Sequence, residues 1–92
     1  EKKGLCDQLQ RAAVSISSNI AEGAARSSDA EFSRFLNYAL GSAFEVETQL
    51  LIAKNIGYMD EIQYEELISK LSSIERQLNG LISTIRRGQR QG

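Results

Sequence analysis

Apolar residues along this chain recur at steps of three and four, the spacing that lines one face of an α-helix. The clearest run is Tyr64, Leu67, Leu71, Ile74, Leu78, Leu81 and Ile85, widened by Ile68 and Ile82. It predicts a helix over about 61–87 with the whole seam from Leu67 to Ile85 in a core. Asp60 is placed to cap its start, with Gln63 three residues on for the reciprocal bond. Glu61, Glu65 and Glu66 come early and Arg86 and Arg87 late, an order that suits the helix dipole. Gly88 is the predicted stop, leaving 88–92 as a frayed tail.

A second helix is predicted over about 29–54, opened by Ser28 and Glu31 at capping-box spacing. Phe32, Phe35, Leu36, Ala39, Ala43, Val46, Leu50 and Ala53 make its main apolar stripe, while Leu40, Phe44 and Leu51 lie on another face. A helix apolar on two sides needs neighbours on two sides. Gly41 and Ser42 sit in its middle, where glycine costs roughly 1 kcal/mol against alanine, so close approach of a neighbouring backbone is expected there.

The first helix is predicted over about 5–22 from Leu5, Leu9, Ala12 or Ala13, Ile16 and Ile20. Serine and β-branched residues crowd 15–20, so a strand over 14–20 competes, but no second strand exists to pair with it. The breaks at 23–27 and 55–59 are short, which makes consecutive helices antiparallel neighbours. The fold class is therefore all-α, an antiparallel up-and-down bundle, with residues 1–92 as a single domain.

Composition narrows the functions. The net charge of −1 gives no global attraction to nucleic acid or membrane. Proline is absent, which permits long uninterrupted helices. No apolar run approaches the ~20 residues that span a bilayer. The single cysteine, Cys6, has no disulfide partner in the chain and fits a reducing cytoplasm. At 92 residues the chain buries a modest share of its surface, so burial against a partner is expected.

The run from Gln8 to Gly23, read as QLQRAAVSISSNIAEG, resembles the hallmark segment of small four-helix-bundle proteins encoded in intervening sequences of bacterial 23S ribosomal RNA genes. The likeness continues through Ser28, Glu31-Phe32, Phe35-Leu36, Ala39, Gly41-Ser42, Glu45, Glu47-Thr48 and Leu50, and through Ile52-Ala53-Lys54 with Gly57-Tyr58. Two departures stand out. Ser17 occupies a place where that family usually has proline, and the family has a further long helix ahead of Leu5. Three long helices of an expected four are present, so a missing helix or another subunit is expected to cover Leu40, Phe44 and Leu51. The resemblance implies a cytoplasmic bacterial protein forming a ring-like homo-oligomer, a pentamer, with an undefined cellular role. It also implies kinship with the accessory proteins of diversity-generating retroelements, which bind a reverse transcriptase and nucleic acid.

Candidate chemistry is sparse. With no histidine, the common imidazole base is unavailable, a di-iron bundle site cannot be written, and Cys6 lacks a zinc co-ligand. Glu45 and Glu47 point to different faces of one helix. No catalytic residue, metal, cofactor or small-molecule substrate is expected, and the chain is not expected to be an enzyme; a carboxylate enzyme would need two acidic groups converging in a pocket.

Two other groups stand out. Arg11, Ser15, Asn19 and Glu22 form a polar stripe on the first helix, and in an antiparallel hairpin Arg11 falls roughly opposite Ser42 and Glu45. It reads as an inter-helix network or as a solvated face; the network is favoured because the resemblance contains these positions, with Arg11 expected to pair with Glu45. Up-down-up topology also collects Arg26, Arg86, Arg87 and Arg90 at one pole. Those arginines suit either RNA or DNA phosphates or simple dipole complementation, and no aromatic residues interleave with them for base stacking. Nucleic-acid binding requires the arginines to stand exposed without neutralising carboxylates. The expected function is a non-enzymatic homo-oligomeric scaffold or adaptor, the alternative a nucleic-acid-binding accessory protein that works with a reverse transcriptase.

Overall fold

A computed structural model describes the backbone from residue 2 to 91 and the side-chain surroundings of residue 4 and residues 7–88. Expectations resting on the side chains of Leu5, Cys6 and Arg90 fall outside the described residues. Three helices follow one another: α1 (Lys2–Ala24), α2 (Asp29–Asn55) and α3 (Glu61–Gln91). They form an up-and-down arrangement about 50 Å long and 21 by 13 Å across. The stretch that competed as a strand, 14–20, is helical.

The capping chemistry sets the helix starts. Ser28 stands in extended backbone and its Oγ accepts the Glu31 amide at 3.1 Å. Asp60 Oδ1 accepts the Gln63 amide at 2.8 Å while Gln63 Oε1 accepts the Asp60 amide at 3.1 Å. Two bonds beyond the helix end α2: the Tyr58 amide reaches Ala53 O at 2.8 Å and the Gly57 amide reaches Lys54 O at 3.1 Å. That paired pattern puts Gly57 at φ +85°, where a side chain would be strained. Gly88 does not stop α3, which runs through it to Gln91. A glycine weakens a helix by about 1 kcal/mol without forbidding it, and no proline follows to enforce an end.

The core sits where α1 and α3 both face α2. Leu36, Ala39 and Ala43 are fully buried, with Ile16 from α1 and Leu71, Leu78, Ile82 and Ile85 from α3. Among the described residues α1 and α3 never come within 8 Å of each other between Cα atoms, so α2 is the middle helix and the outer two are joined only through it. That corrects the expected third seam. Leu71, Leu78 and Ile85 are buried, yet Leu67, Ile74 and Leu81 remain 38–40% exposed. They recur every seven residues on the flank of α3 turned away from α2, where no other helix stands among the described residues.

The glycine of close approach is also a different one. Nothing lies within 4 Å of a Cβ built on Gly41. At Gly23 such an atom would meet Phe35 Cβ at 2.8 Å and Phe32 Cδ1 at 2.9 Å. The end of α1 is thus laid directly on the first turns of α2.

Candidate functional site

The two faces of α2 separate cleanly. Its buried stripe passes through Leu36, Ala43 and Leu50 at seven-residue steps. One position round the helix, Leu40, Phe44, Glu47 and Leu51 follow steps of four, three and four. Phe44 is 50% and Leu51 42% exposed, whereas Leu40 is half-buried against the core. Leu40 therefore anchors the inner edge of this face, and Phe44 and Leu51 are open. Tyr38, Ile52 and Ile56 add exposed apolar surface elsewhere on the outer side of α2. The helical period had already set these positions on a face apart from the main stripe; the placing of α1 and α3 leaves Phe44 and Leu51 open.

Glu47 brings this face its only charge. It faces Glu75 of α3 across the helix seam. Burial, the hydrogen bond to Glu47 and the Glu47 charge together push Glu75 above the usual carboxylate range. Glu75 Oε2 is out of water and has no hydrogen-bond partner. Sequence reasoning compared carboxylates within one helix and so missed a pair that tertiary packing assembles from two.

The polar stripe of α1 divides. Ser15 Oγ and Ser42 Oγ are 2.9 Å apart across the α1–α2 seam. Asn19 Nδ2 donates to Ser15 O at 2.8 Å and to Ser15 Oγ at 3.2 Å. These residues form the inter-helix network. Arg11 and Glu45 line one small pocket with Gln49, but they make no ion pair. The pairing expected of them is not formed. Glu22 turns outward and binds Arg26 at 2.6 Å.

The basic pole is modified in two ways. Arg26 is held by Glu22 and stands over the Phe35 ring at 5.1 Å, with Arg34 over the same ring at 5.7 Å. An aromatic does interleave with arginines, because the α1–α2 turn folds Arg26 back over α2. The carboxylate of Glu22 already neutralises that guanidinium, which removes one phosphate contact from the pole. Arg86 and Arg87 are exposed near the end of α3, and Arg87 donates to Thr84 Oγ1 at 3.3 Å. Among the described residues no three His, Cys, Asp or Glu gather as a metal site, and no helix is long and apolar enough to cross a membrane.

Comparison with known proteins agrees with this architecture. The family model described as 23S rRNA-intervening sequence protein matches residues 1–80. A solved structure from Bacteroides thetaiotaomicron, of a protein with unknown function from the S23 ribosomal protein family, is similar at 32% identity and a TM-score of 0.81. The match covers 85% of this chain and 72% of that one. No curated protein matches.

Proposed function

The chain belongs to the 23S rRNA-intervening sequence protein family, and from that premise we propose that it is a non-enzymatic, homo-oligomeric helical scaffold or adaptor whose subunit contact is the outward face of α2. The observation that carries this is the exposure of Phe44 and Leu51, 50% and 42%, in the middle of the central helix. Burying a large apolar side chain completely is worth about 1.5–3 kcal/mol, so each of these half-exposed residues offers roughly 1 kcal/mol on association. Tyr38, Ile52 and Ile56 add further exposed apolar area elsewhere on the outer side.

The absence of histidine supports the non-enzymatic reading, since the commonest proton-transfer side chain is lacking. The Glu47–Glu75 pair does not replace it: one of its oxygens is shut between two helices, away from any substrate. The family likeness implies five copies in a ring. Sedimentation equilibrium or native mass spectrometry on the intact protein at micromolar concentration tests the proposal. An assembly of defined mass is expected, with five copies as the stoichiometry. A monomer across that range overturns the oligomer reading.

A further inference from the structure

We propose that copies of this chain join head to tail, the outward face of α1 in one copy seating on the Leu40–Phe44–Glu47–Leu51 stripe of the next, with Arg11 reaching the Glu47–Glu75 pair. The inference rests on the homo-oligomer reading and specifies its contact.

Among the described residues no lysine or arginine of the same protomer makes an ion pair with Glu47 or Glu75. Glu75 Oε2 is buried without a hydrogen-bond partner, while Glu47 beside it is exposed. No lysine or arginine stands three or four residues from Glu47 or from Glu75 on their own helices. Lys54, further along α2, is engaged with Glu61 at 3.6 Å. α1 does not approach α3 at all among the described residues. A cation seated between Phe44 and Leu51 would pair with the exposed Glu47 carboxylate and relieve the repulsion of two carboxylates.

The chain carries such a cation on a face of matching spacing. Arg11 is exposed on α1 and makes no ion pair; its near neighbour Glu45 is unbonded to it. Val14, one turn on, is 63% exposed, and small, exposed Ser18 follows. Arg11, Val14 and Ser18 run at steps of three and four; Glu47, Phe44 and Leu40 run back along α2 at the same steps. Antiparallel apposition therefore sets Arg11 on Glu47, Val14 on Phe44 and Ser18 on Leu40, charge on charge and small against large. Because the two faces belong to different helices, the contact is heterologous. Each copy keeps one face of each kind free, and addition continues until the ring closes.

Complementation of two variants tests this. Val14→Glu spoils the α1 face and Phe44→Glu spoils the α2 face; both positions are exposed, and circular dichroism confirms that each variant is folded. Alone, each variant is expected to be monomeric, with the dissociation constant raised about 100-fold or more by a carboxylate buried without a partner. Mixed, they are expected to form a 1:1 dimer and nothing larger, through the one contact that both leave intact. In the parent background Arg11→Glu dissociates the assembly and Arg11→Lys preserves it. An oligomeric parent whose variants stay assembled, or monomeric variants that fail to dimerise when mixed, overturns the head-to-tail contact while leaving the oligomer reading standing. A monomeric parent overturns both.

Discussion

Ser15 and Ser42 lie level with each other across the seam of α1 and α2, their hydroxyl oxygens 2.9 Å apart, with Asn19 closing on Ser15 from the next turn. The bond ties the two helices at one register in a stretch where both are lined by small residues. Apolar packing there tolerates sliding, whereas a hydroxyl pair does not.

A double-mutant cycle measures that tie. Ser15→Ala and Ser42→Ala are each expected to lower unfolding free energy by about 0.5–1.5 kcal/mol in urea. Their effects should fall short of additivity by about 0.5 kcal/mol or more, because either change removes the same bond. Strict additivity would mean that the two hydroxyls bond water instead.

Two glycines are expected to respond with opposite sign. Gly23→Ala forces a methyl to within 2.8 Å of Phe35 Cβ, so stability should fall by about 1–3 kcal/mol as α1 is levered off α2. Gly41→Ala adds a methyl to open space in a helix interior, so stability should rise by up to about 1 kcal/mol. Equal effects at the two sites, read by thermal or urea melts, would contradict the close approach at Gly23.

The third helix offers a contrast between residues four apart. Leu78, 5% exposed, is expected to cost about 2–5 kcal/mol when cut to alanine. Ile74→Gln, at 38% exposure on the open flank, should cost well under half of that. A large loss at Ile74 in a monomeric preparation would place a neighbour on that flank.

Glu75 makes stability depend on pH with a defined sign. Its folded-state pKa is raised above the ordinary carboxylate value by burial and by Glu47. A raised pKa means the folded protein holds the proton more tightly than the unfolded chain does. The contribution is therefore fully present below the ordinary glutamate range and is lost as pH rises through the raised value. Glu75→Gln removes that loss. The variant should gain stability relative to the parent as pH climbs from the ordinary glutamate range towards neutrality, and the gap should close in acid. A gap independent of pH would show that the Glu75 carboxyl is not held above the ordinary range.

Much of the fold was legible because helix formation is decided locally. Periods of three and four, Ser28 and Asp60 as caps and two short breaks all act within a few residues, and they placed three helices in antiparallel order. The polar stripe holding Ser15 and Asn19 was visible as helical spacing, but the hairpin register set Arg11 opposite Ser42, where packing brings Ser15. What the chain could not show by itself was which stripe meets which neighbour. Leu71 and Leu67, or Leu78 and Leu81, are alike in chemistry and period. One of each pair is buried and the other open only because α1 and α3 both lie against α2 and not against each other. The Glu47–Glu75 pair and the crowding of Gly23 by Phe35 share that origin. Each joins residues of different helices, and such distances are set by packing, which no period along a single helix encodes.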